Sequence, residues 1–530
     1  MDRTPEIDVL VVGAGFGGLF LLHRLRALGF STVVVEAGSD VGGTWYWNRY
    51  PGARCDIESL EYSFSFDEEL QQEWHWSERY AAQPEILDYA RHVADRFDLR
   101  RDIRFDTRVT GAVWDDTVER WQVATDAGGW SARFVVMATG TLSAPNAPDF
   151  PGLDSFAGRV LHTARWPDDV DLTGRRVAVV GTGSTAIQAI PLIAEVADEL
   201  YVLQRTATYS VPARNGPLDP AVEAAVKADY AGLRARDRQM PGGFGSRFGW
   251  NDASAVATDP AERDAELERR WQIGGFAFLG AFADVILDPA ANELVADFVR
   301  RKIRATVHDP ATAELLCPTQ PIACKRMCLD TGYYETFNRP NVHLVDVSGA
   351  GIERITPGGV VVAGVEYAVD TIVLATGFDA LTGAVMRVDL VGRDGRSIRD
   401  AWSAGPVNLL GLAVPDFPNL FVLTGPGSPS VLTNMIVSIE EHVEWIAEAL
   451  VHLRDHACSV IEATAEAADA WVDHVNLVAS FTLYPSCNSW YLGANVAGKP
   501  RVFMPLPGFP AYVERCRDVA RSGYEGFRLS

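Results

Sequence analysis

The chain has 530 residues, well past the size at which one hydrophobic core stops growing, so two or three domains are expected. Forty-seven basic against 70 acidic residues give a formal net charge of −23, which argues against nucleic acid or an anionic membrane as partner and leaves room for a local cationic pocket. The N-terminus shows no secretory pattern and no apolar run is long enough to span a bilayer, so a soluble, cytoplasmic protein without a membrane partner is expected.

The first element is already informative. IDVLVVGAGFGGLFLLHRLRALG reads as an apolar strand, a turn carrying Gly13, Gly15 and Gly18, and a helix; STVVVE then forms a second strand ending at Glu36, 23 residues after Gly13. In such a βαβ unit the glycines bring backbone and helix N-terminus up to a pyrophosphate, and the acid accepts from ribose hydroxyls, as FAD presents them. GGTWYWNRYPGARCD follows, with an aromatic cluster that composition alone assigns to core packing. ARFVVMATGTLSAP is an apolar strand closed by Ala138-Thr139-Gly140. The stretch FAGRVLHTARWP, Phe156 to Pro167, matches no ordinary helix or strand pattern.

A second glycine turn appears in RRVAVVGTGSTAIQAIPLIAEVADELYVLQRT, with Gly181, Gly183 and Ala186 at the three turn positions. Its second strand ends at Arg205, 24 residues after Gly181, where the first site has an acid. An arginine there pairs with a ribose 2′-phosphate that a carboxylate would repel, so the second site is expected to take NADPH. Positions 217–300 show helical periodicity without assignable chemistry. A third apolar strand, YAVDTIVLATGFDAL, again closes on Ala-Thr-Gly, at Ala375 to Gly377, and is expected to return the chain to the first sheet.

The expected fold is α/β, with two Rossmann-like dinucleotide-binding domains and a helical insertion. Residues 1–145 and 370–530 form a discontinuous FAD domain, 146–216 and 315–369 the NADPH domain, and 217–314 the insertion. Seven scattered cysteines suggest a reduced compartment rather than a disulfide framework. Their spacing fits no zinc site, so no metal is expected, and no closely spaced dithiol supports a disulfide reductase.

Two longer patterns narrow the chemistry. Phe156, Gly158, His162, Trp166 and Pro167 follow F-x-G-x-x-x-H-x-x-x-W-P, and Gly43, Trp45, Tyr50, Pro51, Gly52 and Asp56 follow G-x-W-x-x-x-x-[FY]-P-G-x-x-x-D. Together they resemble the type I Baeyer–Villiger monooxygenases over nearly the whole chain. The resemblance implies an NADPH- and O2-dependent enzyme that inserts one oxygen atom next to a ketone carbonyl through a C4a-peroxyflavin, giving an ester or lactone. Related flavin enzymes oxygenate nitrogen or sulfur; that is the alternative.

The resemblance also implies site residues. Arg326 would be the catalytic cation and Asp56 its partner. FAD contacts would come from Gly13, Gly15, Gly18, Glu36, Thr44, Trp45, Trp47, Arg54, Asp56, Tyr62, Val109 and Met435. NADPH contacts would come from Gly181, Thr182, Gly183, Ser184, Thr185, Ala186, Gln188, Arg205, Thr206, Lys325 and Arg326, with Trp490 on a mobile loop that folds over the cofactor. Val431, Leu432 and Thr433 would tune substrate size. The Phe156 to Pro167 fingerprint would be an interdomain linker in which His162 couples domain movements. O2 and a small ketone would be the partners, and a monomer or weak homo-oligomer the assembly.

Overall fold

The computed structural model describes residues 4–530. Strand β1 (Glu6–Val12), helix α1 (Phe16–Ala27) and β2 (Thr32–Val35) build the first βαβ unit, with β1 and β2 parallel. Val9, Leu10 and Val11 are wholly inaccessible, because strands covered on both faces need apolar side chains on both. The sheet is extended by β3 (Ile103–Arg104), β4 (Val109–Asp115), β5 (Arg120–Thr125) and β6 (Gly128–Met137), with β5 antiparallel to both β4 and β6.

A second sheet contains β7 (Arg159–His162), β8 (Arg176–Val180), β9 (Glu199–Gln204), β10 (Val342–Asp346) and β11 (Thr371–Leu374) in the order β10-β9-β8-β11-β7, all parallel. Helix α2 (Ser184–Val196) joins β8 to β9. The chain then regains the first sheet through β12 (Asp389–Val391) beside β4 and β13 (Leu420–Val422) beside β6. Between 217 and 314 lie the helices Pro220–Ala228, Tyr230–Asp237, Pro260–Ile273 and Pro289–Thr306.

Two expectations are corrected. The strand that ends in the second Ala-Thr-Gly belongs to the second sheet, so the chain leaves that sheet after Leu374 rather than before residue 370. The fingerprint, expected to be a linker, contributes β7 to the edge of the second sheet, and only its remainder is irregular. Apolar run length concealed this, since β7 is an exposed edge strand of four residues.

The two Ala-Thr-Gly turns do equivalent work. A Cβ on Gly13 would lie 2.6 Å from the Ala138 carbonyl oxygen, and one on Gly181 would lie 2.6 Å from that of Ala375, so each turn packs directly under the first glycine of its own unit. Both glycines also adopt positive φ, at 108° and 114°. Immediately afterwards the two chain crossings bind each other: Asn146 N–H donates to the Gly377 carbonyl at 2.9 Å and Asp379 N–H to that of Ala144 at 2.8 Å.

Candidate functional site

Arg326 lies where the two sheets' units and the C-terminal loops meet. Its Nε donates to Asp56 Oδ2 at 2.9 Å, one Nη to Asp56 Oδ1 at 2.6 Å, and the other Nη to the Val431 carbonyl at 2.7 Å. The Phe276 ring lies 5.5 Å from the guanidinium carbon. Burial opposes the charge, but Asp56 more than compensates and holds the guanidinium pKa above its ordinary value. Three of its five N–H donors are thereby engaged, leaving two on a fixed, permanently charged group.

Lys325, the residue before Arg326, lines a cavity of about 520 Å³ together with Arg205, Thr206, Gln320, Cys487 and Asn488, among others. Among the described residues neither Arg205 nor Lys325 pairs with a carboxylate. Burial, reinforced by Arg205, pulls the Lys325 ammonium pKa below its ordinary value. Two unpaired cations and a hydroxyl-bearing side chain suit a phosphate. The nearby turn is open: Gly183 caps α2, and no atom lies within 4 Å of where a Cβ would stand. Thr182 Oγ1 donates to the Thr206 carbonyl at 2.8 Å, tying the turn to the cationic corner, and Ala186 is fully buried beneath it. Ser184 and Thr185 form the first turn of α2. These residues fit a 2′-phosphorylated dinucleotide.

The first glycine turn fits a dinucleotide of the other kind. Gly15 caps α1, and its nearest neighbour is Gly43 Cα, 3.4 Å from a Cβ built there. Glu36 directly follows β2 and is only 5% exposed. Its oxygens accept from the Ala14 and Gly38 N–H groups, each at 2.7 Å, which orients the carboxylate and leaves further lone pairs for a ribose. Burial raises its pKa against the pull of those two bonds. Thr44, Trp45 and Trp47 share a one-turn helix after Gly43, and Trp45 Nε1 donates to the Tyr62 hydroxyl at 3.2 Å. Met435 opens helix α3 (Met435–Asp455), capped by Asn434, and Val109 begins β4.

Other expected residues have protein partners. Arg54 donates to Glu78 at 2.8 Å and to the Tyr80 carbonyl at 2.9 Å. Gln188 joins the two units: its Oε1 accepts from the Tyr50 hydroxyl at 2.8 Å and its Nε2 donates to the Arg54 carbonyl at 3.1 Å. Of the three substrate-loop residues, Val431 and Thr433 are buried, and only Leu432 is partly exposed. Trp490 packs at 4.5 Å from the Tyr491 ring and against Ala380, Leu381 and Met504. The cysteine expectation is corrected as well: Cys324 and Cys487 form a disulfide with Cα atoms 6.0 Å apart, two partners 163 positions apart that spacing could not pair.

In the fingerprint, a Cβ on Gly158 would stand 2.3 Å from the Asp370 carbonyl oxygen, and Phe156 covers the same glycine. Trp166 is buried, and Pro167 follows it. His162 Nδ1 accepts from the Ala164 N–H at 3.1 Å, so Nε2 carries the proton toward the Asn146 carbonyl at 3.3 Å. Thr376 Oγ1 donates to the same carbonyl at 2.5 Å. Burial lowers the pKa of His162 at the point where the chain crosses between sheets, favouring its neutral form. Sequence reasoning missed His442, fully buried on α3, which accepts from the Thr424 N–H at 2.9 Å and contacts the Tyr512 hydroxyl at 2.6 Å. No local motif marks it.

Residues 10–231 match the pyridine nucleotide-disulphide oxidoreductase family. The chain is 43% identical over 525 residues to a Baeyer-Villiger monooxygenase of Pseudooceanicola batsensis, spanning 98% of this chain and 95% of that one. The chain belongs to the Baeyer–Villiger monooxygenase family. It is also 40% identical to the phenazine N-monooxygenase PhzNO1 of Lysobacter antibioticus, over 100% of this chain and 98% of that one. A solved structure, an oxidized steroid monooxygenase bound to NADP, shares 53% identity with a TM-score of 0.94, covering 99% of each chain. The chain shares its α/β architecture with two-domain flavin monooxygenases, among them OTEMO, solved in complex with FAD and NADP at 38% identity and a TM-score of 0.96 over 100% of each chain.

Proposed function

We propose that the protein is an FAD- and NADPH-dependent Baeyer–Villiger monooxygenase that inserts one atom of O2 beside a ketone carbonyl, with Arg326 as its fixed cation. FAD, reduced by NADPH, supplies the electrons and the oxygen activation. The first unit would hold FAD through Gly13, Gly15, Gly18 and Glu36, and the second NADPH through Gly181, Gly183, Arg205, Thr206 and Lys325; relatives bind both cofactors. We infer a cytoplasmic monomer or weak homo-oligomer, consistent with self-repulsion at a net charge of −23.

Arg326 carries this reading. Asp56 and the Val431 carbonyl fix the guanidinium plane, so its two remaining N–H donors need no reorganisation to meet oxygen atoms as negative charge gathers on them. Phe276 lies against the guanidinium, and exclusion of water on closing the site would strengthen those bonds. Leu432 is the loop residue left to contact a substrate.

The test is product analysis with NADPH and O2 on a panel of phenylacetone, cyclohexanone and a steroid ketone. Ester or lactone formation is expected. NADPH consumption with every ketone recovered intact would contradict it, and N-oxide formation from amines would favour the activity named for the Lysobacter relative.

A further inference from the structure

The Cys324–Cys487 pair has no part in the reaction above, yet it sits between two pieces of the machinery. Cys324 is fully buried and precedes Lys325 and Arg326 directly. Cys487 forms part of the wall of the cationic cavity, with Ser486 and Asn488 beside it, and precedes Trp490 by three residues. The other contacts that hold the 487–500 segment down are reversible. Asn495 Nδ2 donates to the Phe378 carbonyl at 2.5 Å, Asn146 Nδ2 to the Asn495 carbonyl at 2.8 Å, and Lys499 pairs with Asp379 at 2.5 Å. All of these break if the segment swings out; the disulfide does not.

We propose that Cys324 and Cys487 form a peroxide-sensitive lock that fastens the 487–500 segment over the cavity and slows exchange of the nicotinamide dinucleotide. The proposal rests on the reading of that cavity as the NADPH site. With the disulfide closed, Trp490 lies three peptide steps from the tether, so its Cα can range no further than about 11 Å from that of Cys487. The cavity wall therefore cannot open as a unit. Reduced, the segment is held by non-covalent contacts alone: these hydrogen bonds, the ion pair at the domain crossing, and the packing of Trp490 and buried Tyr491.

The chemistry closes with hydrogen peroxide as oxidant, the product expected when NADPH is oxidised by O2 and no ketone is oxygenated. The Cys487 thiolate, at the cavity wall near the positive charges of Lys325 and Arg205, attacks one peroxide oxygen. The S–O bond forms, the O–O bond breaks, and hydroxide leaves and is protonated to water. The Cys324 thiolate then attacks that sulfur, the S–S bond forms, and the second oxygen leaves as water. Two thiols lose two electrons and two protons, and one peroxide becomes two waters. A dithiol reductant reverses the step. Futile NADPH oxidation would in this way restrain its own cofactor supply.

The test uses the full-length holoenzyme, treated with dithiothreitol or with hydrogen peroxide and then freed of reagent. Peptide mass spectrometry reads the Cys324–Cys487 link, and stopped-flow displacement reads NADP+ dissociation. The peroxide-treated enzyme is expected to carry the link and to release NADP+ on the order of tenfold more slowly than the reduced enzyme, as a tether on the open state would require. In Cys487→Ser, and in Cys324→Ser should the first fold poorly, peroxide should leave the dissociation rate where dithiothreitol puts it. Absence of the linked peptide after peroxide, or equal dissociation rates in the linked and reduced wild type, would overturn the proposal. Failure of NADP+ to bind either form would instead overturn the cavity reading, and the lock with it.

Discussion

Replacing Arg326 by alanine probes the site's one fixed cation. The guanidinium makes three hydrogen bonds and has two donors left for reacting oxygens, and its side chain is only 25% exposed. A preorganised charged donor in a dry site contributes about 3 to 4 kcal/mol to the transition state, so kcat for ketone oxygenation should fall by about 10² to 10³. Arg326→Lys keeps the charge but loses the fork that grips Asp56, and should fall between wild type and alanine. Asp56→Ala leaves the arginine held by Val431 alone and should cost less than Arg326→Ala, because the cation survives with its orientation loosened. The assay is steady-state product formation by gas chromatography, with bound FAD verified by absorbance so that cofactor loss is not mistaken for lost catalysis. Arg326→Ala with full FAD content and kcat within about threefold of wild type would refute the reasoning.

Arg205→Ala should raise KM for NADPH by about 10- to 100-fold, the worth of one charge-assisted bond to phosphate, while KM for NADH stays near its starting value; equal effects on both would remove Arg205 from the 2′-phosphate. Gly18→Ala would place a Cβ 1.9 Å from the Gly13 carbonyl oxygen, so the purified protein should lack the yellow FAD spectrum. His442 shows how pH enters stability. Burial drives its pKa down to about 3, against about 6.5 when unfolded, so between these values the unfolded chain binds the extra proton and stability falls as the pH is lowered. The loss approaches about 1.4 kcal/mol per pH unit below 6.5, and denaturation midpoints of His442→Gln should show a correspondingly shallower dependence from pH 6.5 to 4.

Both glycine turns, Glu36 and Arg205 were legible because their chemistry is local: a strand, a tight turn and a helix in succession leave a fixed spacing between glycine and the next strand's end. Arg326 and Asp56 stand 270 positions apart, and only resemblance to a family, not spacing, joined them. Strand β11 was assigned to the wrong sheet because an apolar strand ending in Ala-Thr-Gly looks the same in either unit, and sheet membership depends on pairing rather than composition. Arg54, an expected FAD contact, also pairs with Glu78, a contact no local pattern encodes. Fingerprint strand β7 was obscured by its brevity and edge position, while Cys324, Cys487 and His442 acquire their partners only through tertiary folding.

Isotope labelling tests the central claim most directly. The holoenzyme is supplied with NADPH, phenylacetone or cyclohexanone, and ¹⁸O2, and the product is analysed by mass spectrometry. Insertion beside the carbonyl predicts an ester or lactone carrying one ¹⁸O per molecule. Stoichiometric labelled hydrogen peroxide with every ketone recovered unlabelled and unchanged would contradict it.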